Sequence, residues 1–216
     1  MERLSLFPLD TVLFPKQVLP LHIFEERYKT MMGRCIEDGA PFGVVLIRSG
    51  KQVGGDAVPH DVGTTARIAR VQRLPDGKMN LITLGTHRFR VLSIDRSEAY
   101  LTGNVEYLIS EATEGGAAQR EAERVAALFA EQFRLVMAVS NQWTRELNLP
   151  GEADALADFV AAQIEVPVDV KQELLEMLPV LDRLRRESEL LGELIRTLTQ
   201  RWEEDQRKRF AGAGLN

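Results

Sequence analysis

Cysteine is nearly absent from the chain: Cys35 is the one residue of its kind among 216. A single thiol closes no internal disulfide and builds no multi-cysteine zinc site, which excludes a disulfide-stapled secreted domain. Histidine is scarce too, and His22, His60 and His87 stand far apart, with no H-E-x-x-H spacing or other metal-ligand pattern. No run approaches the roughly eighteen apolar residues of a membrane span. The amino terminus, interrupted by Arg3, Pro8, Asp10 and Pro15, has no apolar signal-peptide centre. A phosphate loop is also missing: around Gly50-Lys51, Val45 replaces the first glycine of G-x-x-x-x-G-K-[ST] and Gln52 the hydroxyl residue. These absences predict a soluble, cytoplasmic protein with no cofactor and no metal.

What is present suits an ordinary globular chain, with 44% hydrophobic and 27% charged residues, enough for one large domain or two small ones. The net charge of −5 is uneven. Residues 1–110 carry 14 basic and 12 acidic side chains, residues 111–216 carry 13 and 20. A clustered basic surface of the kind that phosphate binding needs is not indicated, so nucleic acid is a disfavoured partner.

The stretch Leu6 to Tyr28 holds apolar runs too short for helices, broken at Pro8, Pro15 and Pro20. It predicts short strands at sheet edges turning through proline corners, with Phe7, Phe14 and Phe24 as core anchors. A helix follows from Glu25 to Ile36, with Tyr28, Met31 or Met32, and Cys35 or Ile36 on one apolar face. Phe42–Ile47 is a continuous aliphatic run, the mark of a central strand buried on both faces. Ser49 to Asp61 reads as a loop. In Val62 to Leu74 the alternation slips near Ala69, which predicts a β-bulge. Pro75-Asp76-Gly77-Lys78 predicts a turn pairing that strand with Met79–Leu84, and 87–91 and 100–109 extend the sheet.

Ser110 to Ala118 is polar and glycine-rich, the best domain boundary, and everything after it has helical period. Ala122, Val125, Phe129, Phe133, Val136, Val139 and Trp143 predict one helix of roughly 25 to 30 residues. A second spans Ala153 to Ile164. Asp169 with Gln172 resembles a capping box for a third through Leu178, and Pro179 begins a long fourth helix suited to packing lengthwise on another.

Several of these segments together resemble the amino-terminal, substrate-recognition domain of the Lon protease family. The matching residues are Phe7-Pro8-Leu9, Phe14-Pro15, Leu19-Pro20-Leu21 and Phe24-Glu25-x-Arg27-Tyr28, then Val62-Gly63-Thr64, Leu74-Pro75-Asp76-Gly77 and Leu84-Gly85-x-x-Arg88-Phe89-x-Val91. In the second half they are Leu156-Ala157-Asp158, Lys171-Gln172-x-Leu174-Leu175-Glu176 and Arg183-Leu184. The resemblance covers about residues 3 to 200. It implies an α+β fold: a PUA-like twisted β-barrel with one helix over residues 1–110, as in Lon amino-terminal domains and cereblon, then a helical bundle over residues 117–208. The family's ATPase module and serine–lysine protease domain do not fit in this chain, so the resemblance implies recognition and carries over no proteolysis.

Cys35 on an apolar helix face reads as a small buried hydrophobe, and Glu25 and Glu26 at a helix start favour the helix dipole more simply than they form an acid–base pair. No enzyme is expected. Arg88, between apolar strand neighbours, needs a partner, and Glu25 is the one we expect. The functional alternative is a polypeptide-binding surface of Glu25, Arg27, Tyr28, His87 and Arg88. The expected function is non-catalytic, ATP-independent capture of unfolded polypeptide or a protein partner, such as a separate protease or chaperone, in a cleft between the two halves. The alternative is an RNA-binding module using Arg67, Arg70, Arg73, Arg88 and Arg90. A dimer through the long terminal helix stays open.

Overall fold

The computed structural model describes residues 2–51, 57–112, 116–139 and 147–213. They form six strands, β1 (Glu2–Leu9), β2 (Val18–Ile23), β3 (Phe42–Ser49), β4 (Val58–Arg73), β5 (Met79–Asp95) and β6 (Leu101–Leu108). Five helices accompany them, α1 (Glu26–Asp38), α2 (Ala117–Val139), α3 (Ala153–Gln163), α4 (Val168–Glu176) and α5 (Val180–Ala213). The chain divides into two compact units, Met1–Glu111 with Ala161–Leu178, and Ala112–Val160 with Pro179–Asn216. The segment carrying α4 thus lies in the same unit as the strands.

In the first unit β3 lies between β1, to which it is parallel, and β4, to which it is antiparallel. That central place explains its unbroken apolar run, because both of its faces are buried. Val44 joins one core cluster with Phe7, Phe42 and the α1 residues Tyr28, Met31, Met32 and Cys35, whereas Val45 joins a second with Leu4, Leu6, Phe89 and Val105. β5 is one strand of 17 residues rather than two short ones. Its first half pairs with β2 and its second with β6, while β6 also pairs with β1. Hydrogen bonding therefore runs in a closed circuit, β1–β3–β4–β5–β6–β1, with β2 attached outside it.

The Pro75-Asp76-Gly77 turn joins β4 to β5 as expected, with Gly77 at φ +76 and its N–H donating to Leu74 O at 3.1 Å. The register also shifts between Ile68 and Arg70, the bulge that the slipped alternation predicted. Val58–Asp61 belongs to β4, so the expected loop is shorter than Ser49 to Asp61, and residues 52–56 lie outside the described ones. Phe7 and Phe14 are buried, but Phe24 is 48% exposed and stacks on His22, with ring centroids 6.1 Å apart, instead of anchoring the core. Two residues before α1, its side chain points away from the core that the helix covers.

One helix expectation needs correction. The cap of α4 is Pro167, which makes no side-chain cap bond, so no capping box forms. Asp169 stands inside the first turn, and Gln172 is buried, donating to Val62 O at 3.0 Å and Glu176 Oε1 at 2.7 Å. In the second unit α2 and α5 pack on one another, burying Ala122, Val125 and Phe129 from α2 and Leu184 and Leu191 from α5. The expected continuation of α2 to Trp143 falls outside the described residues. Arg183, fully buried, bonds to Asp154 and lies 3.6 Å from Asp158. No helix among the described residues is long and apolar enough to cross a membrane.

Candidate functional site

The five residues proposed from sequence fall into two separate groups. Glu25 caps α1, and its carboxylate accepts from Arg27 Nε at 3.0 Å and Nη2 at 2.9 Å. The Arg27 guanidinium covers the Tyr28 ring at 4.4 Å, and Tyr28 packs edge-on against Phe7 at 4.5 Å. Burial, ahead of the opposing Arg27 charge, raises the Tyr28 pKa. This trio locks the start of α1 onto the core.

Arg88 and His87 stand elsewhere. Register places Ile23 opposite Met79, so the chain after β2 leaves at the far end of β5. Arg88 lies nine steps along the strand from Met79, about 30 Å at ~3.3 Å each. The expected Arg88–Glu25 pair therefore does not form. Arg88 is 4% exposed and donates from Nε to Leu175 O at 3.0 Å, at the carboxy-terminal end of α4. A buried guanidinium is tolerated there because a helix carboxy terminus favours positive charge.

His87 faces outward because of a second irregularity. Between the Thr64–Arg88 and Ala66–Gly85 pairs β5 holds one residue more than β4, a bulge at Thr86–His87 opposite Thr65. Side-chain hydroxyls replace the missing ladder bonds. Thr65 Oγ1 accepts from His87 N at 3.1 Å and lies 2.7 Å from Thr86 Oγ1, and Thr86 Oγ1 lies 3.1 Å from Thr65 O. Bulges re-aim side chains, and this one turns His87 onto the Tyr107 ring at 5.8 Å.

Beside that pair opens a groove of about 580 Å³, lined on its apolar part by Pro41, Tyr107, Leu108 and Ile109, with His87 and Arg67 at its polar edge. Ile109 is 83% exposed and Tyr107 42%. Burial, then the charge of Glu2 and a hydrogen bond to it, raise the Tyr107 pKa, so its phenol stays protonated. Tyr107 and Ile109 have the parity of the buried Leu101 and Val105 but are exposed, at the end of β6, which stops at Leu108. Of the groove residues, sequence reasoning placed only His87 in a polypeptide site and Arg67 in an RNA site.

A more polar hollow of about 590 Å³ lies between Arg48, His60, Asp61 and Arg90 on the strands and Asp169, Glu173 and Glu176 on α4. Arg48 is paired with Asp61 and Arg90 with Glu106, while His60 lies 3.8 Å from Glu176. No cluster of His, Cys, Asp and Glu suited to a metal occurs among the described residues. Cys35 is buried, and burial pushes its thiol up to about 11, so it is not an activated nucleophile.

Comparison with known proteins gives one consistent answer. Residues 3–193 match the profile of the ATP-dependent protease La (LON) substrate-binding domain. The chain is 27% identical over 195 residues to a Lon protease of Anaeromyxobacter dehalogenans, covering 88% of this chain and 23% of that protein. It is 31% identical over 191 residues to a Lon protease of Paraburkholderia phytofirmans, covering 85% of this chain and 23% of the relative. The chain thus spans about a quarter of the length of these relatives. Among solved structures, a Lon N-terminal domain protein from Xanthomonas campestris superposes with a TM-score of 0.65 at 26% identity, covering 86% of this chain and 96% of that one. The N-terminal domain of a Mycobacterium avium complex Lon protease superposes at 0.62 with 18% identity, covering 88% and 98%, a likeness of fold.

Proposed function

This chain belongs to the ATP-dependent protease La (LON) substrate-binding domain family, and from that premise we propose that it recognises polypeptides without catalysis, capturing exposed apolar segments in the groove beside His87 and Tyr107. The observation that carries this reading is the groove itself: an open apolar hollow on the strand-bearing unit, with Ile109 largely exposed at its edge. Exposed apolar surface gathered around a few polar groups is what a binding site for an apolar chain needs. Of the five residues named from sequence, His87 contacts the bound chain, while Glu25, Arg27, Tyr28 and Arg88 hold α1 and α4 in place. Binding needs no nucleotide and forms no covalent bond. We read the closed circuit of strands as a small twisted PUA-like barrel and α2 with α5 as the base of a helical bundle.

The second reading, an RNA-binding module, draws on Arg67, Arg70 and Arg73, exposed on β4. One experiment separates the two. The purified chain is titrated into a fluorescent, permanently unfolded polypeptide and, in parallel, a fluorescent single-stranded RNA, with anisotropy read at low and high salt. Saturable, salt-tolerant binding to the polypeptide is expected, weakened about tenfold by Ile109→Asp, the size expected for losing one buried aliphatic side chain. Binding to RNA alone, lost at high salt, overturns the proposal.

A further inference from the structure

On β1, β3 and β5 each exposed arginine has an acidic partner. Arg3 lies 2.8 Å from Asp95, Arg48 3.1 Å from Asp61 and Arg90 3.3 Å from Glu106. On β4 the pattern stops: no carboxylate among the described residues pairs with Arg67 or Arg70. Arg67 lies on the apolar groove, and Arg70 on a hollow next to it. That smaller hollow of about 160 Å³, lined by Arg67, Arg70 and the end of α1, continues the groove past Gly39, which both share.

Strand geometry alone does not give this arrangement. Residues three apart on a regular strand face opposite ways. The extra residue of β4 at Ala69 restores Arg70 to the face of Arg67, and both are exposed. The bulge at Thr86–His87 turns His87 to the same groove. Two bulges in adjacent strands thus set a pair of guanidinium groups that no described carboxylate neutralises beside an apolar hollow, about 7 Å apart along the sheet, the two-residue step from Leu84 to Ile82 opposite them at ~3.3 Å per residue.

We propose that the groove takes an extended polypeptide segment in which an apolar side chain is followed, within one to three residues, by an aspartate or glutamate. The apolar side chain fills the hollow against Pro41, Tyr107 and Ile109, and the carboxylate meets Arg67 and Arg70. The inference rests on the polypeptide-recognition reading and names its substrate class. Guanidinium groups pair with carboxylate and with phosphate alike. The hollow decides between them: single-stranded nucleic acid is held by successive aromatic platforms, whereas this groove offers one tyrosine, edge-on to His87, among aliphatic side chains.

The test uses the full chain and short fluorescent peptides that share one aliphatic-aromatic core and differ only in flanks of aspartate, serine or lysine. A single-stranded oligoribonucleotide is run alongside, and anisotropy is read at low and high salt. The aspartate-flanked peptide should bind about 3- to 10-fold more tightly than the serine-flanked one at low salt, the range expected for two solvent-exposed ion pairs. High salt and the Arg67→Gln/Arg70→Gln double variant should erase that advantage while core binding persists. Arg70→Glu should shift the preference toward lysine flanks. Both positions are exposed, and an unchanged thermal midpoint confirms that the variants fold. Equal binding of the aspartate and serine peptides overturns this inference and leaves polypeptide recognition standing; binding of no peptide overturns both. An oligoribonucleotide that binds more tightly than any peptide, and is lost in the double variant, assigns the arginines to nucleic acid and also overturns the inference.

Discussion

Thr65 shows how much one hydroxyl can hold. It is buried, and its Oγ1 stands where a ladder carbonyl is missing, accepting from His87 N and touching Thr86 Oγ1. Valine has nearly the same shape and no acceptor. Thr65→Val should therefore cost about 1–3 kcal/mol, the usual penalty for a buried amide left without a partner. A lower urea midpoint, with faster hydrogen exchange at the His87 amide, is the expected result; an unchanged midpoint refutes this account of the bulge. At this scale the sequence was only partly legible. It showed that Arg88 needs a partner, but the partner is the backbone carbonyl of Leu175, and a carbonyl is written identically in every residue. Glu25 was the nearest carboxylate type in the pattern, yet it is taken by Arg27 two residues on. The exposure of Phe24 was hidden for a related reason: it sits at the junction of strand and helix, where neither period fixes its direction.

Gly85 belongs to the scale of elements, because it sets how closely the segment from Leu13 to Gln17 approaches β5. Its N–H donates to Gln17 O at 2.9 Å and its carbonyl accepts from Lys16 N at 2.8 Å. A Cβ there would press on the Phe14 carbonyl and lie 3.2 Å from Leu13 Cγ. Phe14 and Leu13 are core residues, so Gly85→Ala should destabilise by about 2 kcal/mol or more, as overpacking does. Gly33, within α1, has nothing within 4 Å of its would-be Cβ, and Gly33→Ala should instead stabilise by about 0.5–1 kcal/mol. Thermal midpoints moving in opposite directions are the expected outcome; equal shifts refute it. The elements themselves were largely legible because burial imposes the period: the run Phe42–Ile47, the Asp76-Gly77 turn and the face of α1 all follow from it. The bulge at Ala69 left a visible slip in the alternation. The one at Thr86–His87 did not, since Gly85 and two polar residues look like a break between two strands. The cap of α4 misled because Asp169 and Gln172 have the spacing of a capping box, while burial draws Gln172 to Val62.

For the whole molecule the informative fact is how the chain is threaded. Residues 161–178 belong to the first unit but are bounded on both sides by segments of the second, and α3 runs unbroken across residue 160. Helical period reveals the helices of the second half, but it carries no mark of which unit each one joins. Threading predicts that the units unfold together, because releasing α3 and α5 frees both ends of the segment whose Leu175 carbonyl holds Arg88 and whose Gln172 binds the Val62 carbonyl. The chain supplies its own reporters. With Trp143 replaced by Phe, Trp202 is the one tryptophan left and falls in the second unit, and Tyr28, Tyr100 and Tyr107 fall in the first. Arg183→Met strikes the second unit alone, leaving the buried carboxylate of Asp158 without the guanidinium 3.6 Å away. Removing one partner of such a pair costs about 3–5 kcal/mol. Urea unfolding followed by tryptophan fluorescence and by the near-ultraviolet tyrosine signal should show both transitions falling by the same amount. A tryptophan transition that falls while the tyrosine transition stays in place would mean that the strand-bearing unit, with its groove, stands without the helices.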